Sequence, residues 1–420
     1  QVFGIKELWG IDFFWIAAIG LVVLTALYTI FGGMKSVLYT SVLQTPILLL
    51  GSLIILVLGF KELGGWDEMM RVCGAVTVND YGDTMTNLIR SNDDANFPWL
   101  GALIGSAIIG FWYWCTDQFI VQRVLSGKNE MEARRGTIFG AYLKLLPVFL
   151  FLIPGMIAFA LHQKYIGAGG EGFLPMLANG TANADAAFPT LVAKLLPAGV
   201  KGLVVCGILA ALMSSLASLF NSSAMLFTID FYKRFKPETP EKKLVGIGQI
   251  ATIVIVVLGI LWIPIMRSVG DVLYTYLQDV QSVLAPGIAA AFLLGICWKR
   301  TSAQGGMWGL ISGMVIGLTR LGAKVYYSNA GEVADSTFKY LFYDMNWLFF
   351  CGWMFLFCII VVIVVSLATE APTAEKIQGL VFGTATKKQK AATRASWNHW
   401  DIIHTVIILA ITAAFYWYFW

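Results

Sequence analysis

The chain has 420 residues, 58% of them hydrophobic and 13% charged, with a formal net charge of +4 and a mean hydropathy of +0.73. A soluble globular chain carries about 25% charged residues, so this composition excludes an ordinary soluble domain. Apolar runs of about twenty residues or more recur along the whole length, as a polytopic membrane protein requires. The runs are continuous rather than alternating, so the expected spans are helices and not barrel strands.

Ten spans are expected, in chain order over 13–32, 37–63, 98–121, 138–161, 203–229, 245–266, 272–298, 305–321, 347–368 and 402–420. The last is flanked by Trp397, Trp400, Trp417 and Trp420, an interfacial aromatic belt. Lysines and arginines gather in alternate loops, at Lys35, 123–135, 233–243, 299–300 and 376–394, which hold 17 of the 29 basic residues. Those loops are expected on the cytoplasmic side, with both chain ends outside. The long loops 64–97 and 162–200 are then external. Five of the six cysteines lie in spans, which is no disulfide framework. The three histidines, His162, His399 and His404, show no metal-ligand spacing.

Polar side chains inside spans are functional candidates. The third span ends FWYWCTDQFIVQR, with Trp112, Tyr113 and Trp114 ahead of Asp117, Gln118 and Arg123. Aromatic faces beside hydrogen-bonding groups suit a sugar, although an interfacial belt with a capped helix end reads equally well. Lys144 lies about 12 Å into the fourth span from Gly136, at 1.5 Å per residue. It could snorkel to water or face a cavity made by the kinks at Pro147 and Pro154. The fifth span carries Ser214, Ser218 and Ser222 every four residues, with Ala211 one turn above and Ser215 beside them. Small residues at that spacing serve close helix packing, or offer hydroxyl and carbonyl oxygens to a hard cation. The seventh span reads LYTYLQDVQSVLAPG, and places Gln278, Asp279, Gln281 and Ser282 in an otherwise apolar helix. Interhelical hydrogen bonding is the plain explanation. No phosphate-binding glycine loop and no nucleophile–base pair is visible, so an enzyme has no support, nor has a nucleic-acid partner. Transport energy would come from an ion gradient.

FWYWCTDQFIVQR followed by LSGKN, AYLKLLPVFLFLIPG, MSSLASLFNSSAMLFTIDFYKR and YLQDVQSVLAPGIAAAFLLGICWKR together resemble the sodium/glucose cotransporter-like branch of the sodium:solute symporter family. The resemblance runs from about Phe31 to Trp298. It implies an all-α LeuT-type inverted-repeat fold with solute bound near the membrane midplane, a sodium ion as cofactor, and a place in the plasma membrane. By the same resemblance Gln278 and Lys144 would bond sugar hydroxyls. Tyr113 would stack on the sugar as an inner gate, and Trp114 and Ser218 are further expected substrate-binding residues. Ala211, Ser214 and Ser215 would form half of a sodium site. Asp117, Gln118, Arg123, Thr40 and Ser41 are coupling or gating candidates.

Two positions depart from the family pattern. Ser41 follows Thr40 where relatives carry an aspartate that takes part in cation coupling. Gly110 stands where relatives often carry a polar sugar contact. Relatives also have about four helices before the span that opens this chain. Residues 1–63 are therefore expected to be the last two helices of the first repeat, 98–298 the second repeat, and 303–420 accessory helices. The absent helices, or another chain, would complete the site. The expected function is sodium-coupled symport of a hexose or related polyol by alternating access. Alternatives are symport of an inositol, a sialic acid or an amino acid, and a transporter-like sensor, which would need a signalling domain after the last helix.

Overall fold

The computed structural model of the chain describes residues 7–177, 180–267, 273–330 and 334–419. A two-residue hairpin, β1 (Glu7–Leu8) against β2 (Ile11–Asp12), leads into a series of helices. These are α1 (Phe13–Leu63), α2 (Trp66–Gly74), α3 (Trp99–Cys115), α4 (Gln118–Leu125), α5 (Glu130–Pro147), α6 (Ile153–Gly167), α7 (Ala187–Leu195) and α8 (Ala198–Met225). They continue with α9 (Glu241–Arg267), α10 (Leu273–Cys297), α11 (Ala303–Asn329), α12 (Trp347–Ala368), α13 (Lys387–Ala395) and α14 (His399–Tyr418). Among the described residues eight helical stretches are long and apolar enough to cross a membrane, or nine if the bent pair α3–α4 is one span.

The sequence predicts ten spans, and the differences have physical causes. The expected span at 305–321 is present as α11, but six glycines together with Arg320 and Lys324 keep it out of the strongly apolar set. The first two expected spans lie on one helix. Nothing between them stops α1, which contains a lone Pro46 and ends only at Gly64. There the left-handed φ of 111° lets the Gly64 amide cap the Phe60 carbonyl at 3.0 Å. At 1.5 Å per residue α1 is about 77 Å long, more than twice a hydrocarbon core of about 30 Å. Its two apolar stretches, Phe13–Ile30 and Gln44–Leu63, therefore count as two crossings only where the helix parts between them.

Contacts gather into two compact units, Gln1–Thr77 with Thr84–Thr86 and Leu143–Gly270, and Val78–Asp83 with Asn87–Tyr142 and Asp271–Trp420. In the first, α1 lies along α8. A Cβ at Gly51 would come within 2.5 Å of Val204, and one at Gly207 within 3.1 Å of Ile47, so both glycines permit the close approach. The Tyr28 hydroxyl donates to the Met213 carbonyl at 2.7 Å across the same seam. At the end of α1, Leu63, Met69, Cys73, Leu161 and Leu191 form a fully buried cluster with residues of the long loops, such as Phe173 and Leu174. Burial pushes the Cys73 thiol up to about 11.

In the second unit α10, α11 and α12 pack against one another, and α3 joins α10 and α12. Four glycines of α11, each four residues after the last, lie in these seams. A Cβ would meet the Ser366 hydroxyl from Gly305, the Val362 side chain from Gly309, the Gly287 Cα at 2.9 Å from Gly313, and the Val283 carbonyl from Gly317. Lipid supplies no hydrophobic drive for helix association, so dispersion at this short range holds the helices together.

This geometry predicts that Gly317→Ala lowers the melting temperature of the purified protein in detergent, because the backbone carbonyl it would strike cannot swing aside. The expected cost is about 1–3 kcal/mol. Gly306→Ala, where a Cβ meets nothing within 4 Å, should leave the melt unchanged or raise it slightly. Equal melting of the two variants would remove the role assigned to the ladder.

Candidate solute and cation site

The expected site residues fall in both units. Lys144, Ala211, Ser214, Ser215 and Ser218 lie in the first, with Thr40 and Ser41; Tyr113, Trp114, Asp117, Gln118, Arg123 and Gln278 lie in the second. Thr40 and Ser41 are on α1, and the Thr40 and Ser41 side chains lie outside the described residues.

On α8 the serine stripe faces inward, with Ser214, Ser218 and Ser222 all buried. Ser215, one residue round the helix, is exposed, and Ala211 is half-buried a turn above. The donor set is hydroxyls and a backbone carbonyl, all hard oxygens that fit a sodium ion. Three such oxygens make a partial shell. α5 ends at Pro147, and residues Val148–Leu152 form a π-helical turn before α6. A wide turn of this kind interrupts the regular ladder and is frequent at functional sites. Lys144 is exposed one turn before it.

In the second unit the chain bends by 48° between α3 and α4. Thr116 turns its hydroxyl back onto the Trp112 carbonyl at 2.7 Å, and the Asp117 carboxylate accepts from the Phe119 amide at 3.0 Å. Asp117 is thus the N-cap of α4, and TDQ marks a helix break inside what reads as one apolar span. The aromatic group sits just before the break. The Tyr113 and Trp114 rings meet edge to face with centroids 5.2 Å apart, and Trp114 is exposed. Arg123 lies 5.0 Å above the Phe119 ring.

Gln278 is half-buried on α10. Its neighbour Asp279 is held by two cations from α11. The Lys324 ammonium donates to Asp279 Oδ2, and Arg320 Nη2 stands 3.6 Å from Oδ1. Arg320 is fully buried. Its Nη2 also donates to the Met345 carbonyl at 2.7 Å, and its guanidinium lies 4.1 Å over the Phe350 ring. Asp279 stands out in the sequence, whereas its partners do not. The available signal is two basic residues, Arg320 and Lys324, four apart near the outer end of an expected span, where they share a helix face.

A model of the sodium:solute symporter family matches residues 4–313 of the chain. A sodium/mannose cotransporter of Bos taurus is 34% identical over 97% of this chain and 72% of its own. A human sodium/myo-inositol cotransporter 2 is 35% identical over 88% of this chain, and the sodium/glucose cotransporter 1 of Ovis aries 37% identical over 86%. The chain spans 56% and 57% of those two relatives. A solved Na+-coupled sialic acid symporter, in a substrate-bound outward-open state, superposes with a TM-score of 0.66 at 21% identity, over 89% of this chain and 70% of that one. The chain belongs to the sodium:solute symporter family, a class of multi-pass plasma-membrane transporters and not of enzymes, and it has the LeuT-type helical fold expected from its motifs.

The ion triad yields an ordered prediction. Asp279→Asn leaves two cations in a low-dielectric site without their anion, a loss of about 3–5 kcal/mol for a broken buried pair. Lys324→Gln keeps the Arg320–Asp279 attraction and should cost less. Thermal melting of full-length protein should rank wild type above Lys324→Gln above Asp279→Asn, and the reverse order of the two variants would show that Asp279 is not the hub.

Proposed function

We propose that the protein containing this chain carries out sodium-coupled symport of a hexose or related polyol by alternating access. The observation that carries this reading is the setting of Gln278. It is a neutral donor and acceptor, half-buried on α10, on a stretch whose next residue is pinned by Arg320 and Lys324. A preorganised amide suits a hydroxyl-bearing solute, which needs directional hydrogen bonds and no net charge. The mannose, glucose and myo-inositol cotransporters among the relatives support the same substrate class.

In this reading Gln278 and Lys144 bond sugar hydroxyls, Tyr113 stacks on the ring with Trp114 beside it, and Ser218 lies close by. Ala211, Ser214 and Ser215 supply part of a sodium shell. Asp117, Gln118 and Arg123 mark the hinge at which α3 and α4 move during gating, and Thr40 with Ser41 belongs to the coupling path. Residues 1–63 represent the last helices of the first repeat, 98–298 the second repeat and 303–420 accessory helices. The remaining ligands would come from further helices, as the greater length of the relatives allows, or from another chain.

Uptake of labelled glucose, mannose and myo-inositol by full-length protein in proteoliposomes tests the reading. At least one should accumulate under an inward sodium gradient, and uptake unchanged when choline replaces sodium would exclude sodium coupling. Gln278→Ala and Lys144→Ala should each raise the half-saturating sugar concentration, by up to about tenfold for a lost bond of about 0.5–1.5 kcal/mol. Unaltered affinity in both would leave those residues with packing or interfacial roles.

A further inference from the structure

The end of the second unit that the basic loops assign to the cytoplasm carries a surface that solute transport does not use. After α12, Leu380 is 72% and Phe382 82% exposed, although the Phe382 amide is tied to the Ile296 carbonyl at 2.7 Å. The same loop is closed by the Gly379 amide on the Thr384 carbonyl at 3.2 Å, so both apolar side chains are held outward by a fixed backbone. α13 follows at once, with Lys387, Lys388, Lys390 and Arg394 all exposed on a helix capped reciprocally by Thr386 and Gln389. Arg394 lies 4.2 Å over the Trp397 ring, at the aromatic belt where α14 enters the bilayer.

Beside this helix a groove of about 740 Å³ runs between α5 and α14. Its lining is polar at Arg134 and Trp397, and Ile138, Ile402 and Val406 form an apolar wall further along α5 and α14, with Ile402 and Val406 exposed. Arg134 Nη2 reaches the Ser396 hydroxyl at 3.3 Å, while its Nε is buried with no hydrogen-bond partner among the described residues. Two carboxylates also line the groove. Asp401 is occupied as the capping partner of the Asn398 amide at 2.7 Å, and Glu130 is exposed in the first turn of α5. Arg134 thus lines the groove as a cation held by one long hydrogen bond and by no carboxylate among the described ion pairs.

We infer that this surface binds an anionic phospholipid of the cytoplasmic leaflet, its phosphate at Arg134 and Arg394 and one acyl chain along Ile138, Ile402 and Val406, with the α13 lysines drawing the segment to the negative headgroup layer. A cationic end beside an exposed apolar wall matches the two halves of such a lipid. Leu380 and Phe382 set the depth of the segment at the interface, and the basic residues face the negative leaflet.

The test uses full-length protein in nanodiscs of phosphatidylcholine alone or mixed with phosphatidylglycerol, read by amide hydrogen exchange. Phosphatidylglycerol should slow exchange across 380–402, and high salt should reverse the effect. Each charge removed in Arg134→Gln, Arg394→Gln and the triple variant Lys387→Gln/Lys388→Gln/Lys390→Gln should weaken the apparent lipid affinity about fivefold, the equivalent of roughly 1 kcal/mol per basic residue. Exchange in α12 serves as the folding control. The triple variant removes only exposed side chains, so it remains informative if Arg134→Gln disturbs packing. Identical exchange in the two lipids would overturn the inference, as would a phosphatidylglycerol effect undiminished in the triple variant. Protection already complete in phosphatidylcholine would assign the groove to a protein neighbour and overturn it as well.

Discussion

Hydrocarbon offers no partner to a backbone dipole or a charge, and that constraint governs the arrangement of the second unit. Helices there cannot rely on expulsion of water to hold them together, so they approach until backbones touch. The glycines of α11 at 305, 309, 313 and 317 allow this on successive turns. The same closeness brings Arg320 and Lys324 onto Asp279 and places carbonyls at the end of the Tyr340–Asp344 turn within reach of Arg320. An arginine with no exposed surface is tolerable only when carboxylate, carbonyl and aromatic face are all supplied together. Packing by the smallest residue and burial of the largest cation are thus one design, since either alone would be unfavourable.

Three of the spans are interrupted near polar residues, whereas α10 runs unbroken through Gln278–Ser282. α3 gives way to α4 at Thr116 and Asp117, α5 to a π-turn after Pro147, and α8 to a π-turn at Leu226–Tyr232. Each break frees backbone groups that a lipid-facing helix could not leave bare, and side chains such as Asp117 and Thr116 satisfy some of them. In a transporter, breaks of this kind provide both the ligand contacts and the places where segments can move.

Much of the fold could be read from the sequence because bilayer-length apolar runs leave few alternatives, and the motifs around Asp117, Lys144, Ser214 and Gln278 pointed to the family. What could not be read depended on the third dimension. The glycine ladder of α11 looks in sequence like a weak span, because glycine adds no hydropathy and its value lies in the neighbour it admits. Asp279 could be singled out as out of place in an apolar helix. Its partners lie 41 and 45 residues further on, and only the packing of α10 on α11 joins them. Asp117 illustrates the reverse case. The residue stood out for a functional reason, and the structure also gives it the ordinary work of an N-cap.

Under the proposed function the triad bears on selectivity, because Asp279 follows Gln278 directly. A side chain offered to a solute gains affinity when its backbone is already fixed, since less conformational freedom is lost on binding. Lys324 and Arg320 act on α10 from a second helix, so the orientation of that backbone is set outside the solute pocket. If Gln278 bonds the solute as proposed, substitutions at 320 and 324 would therefore change what is recognised there without touching the solute. The Gln278 amide carries no charge of its own, and the carboxylate and two cations beside it sum to one positive charge when all are ionised. An aspartate without these partners would present a bare negative charge beside the amide and favour a cationic solute; with them, the proposed site has no excess negative charge to attract one.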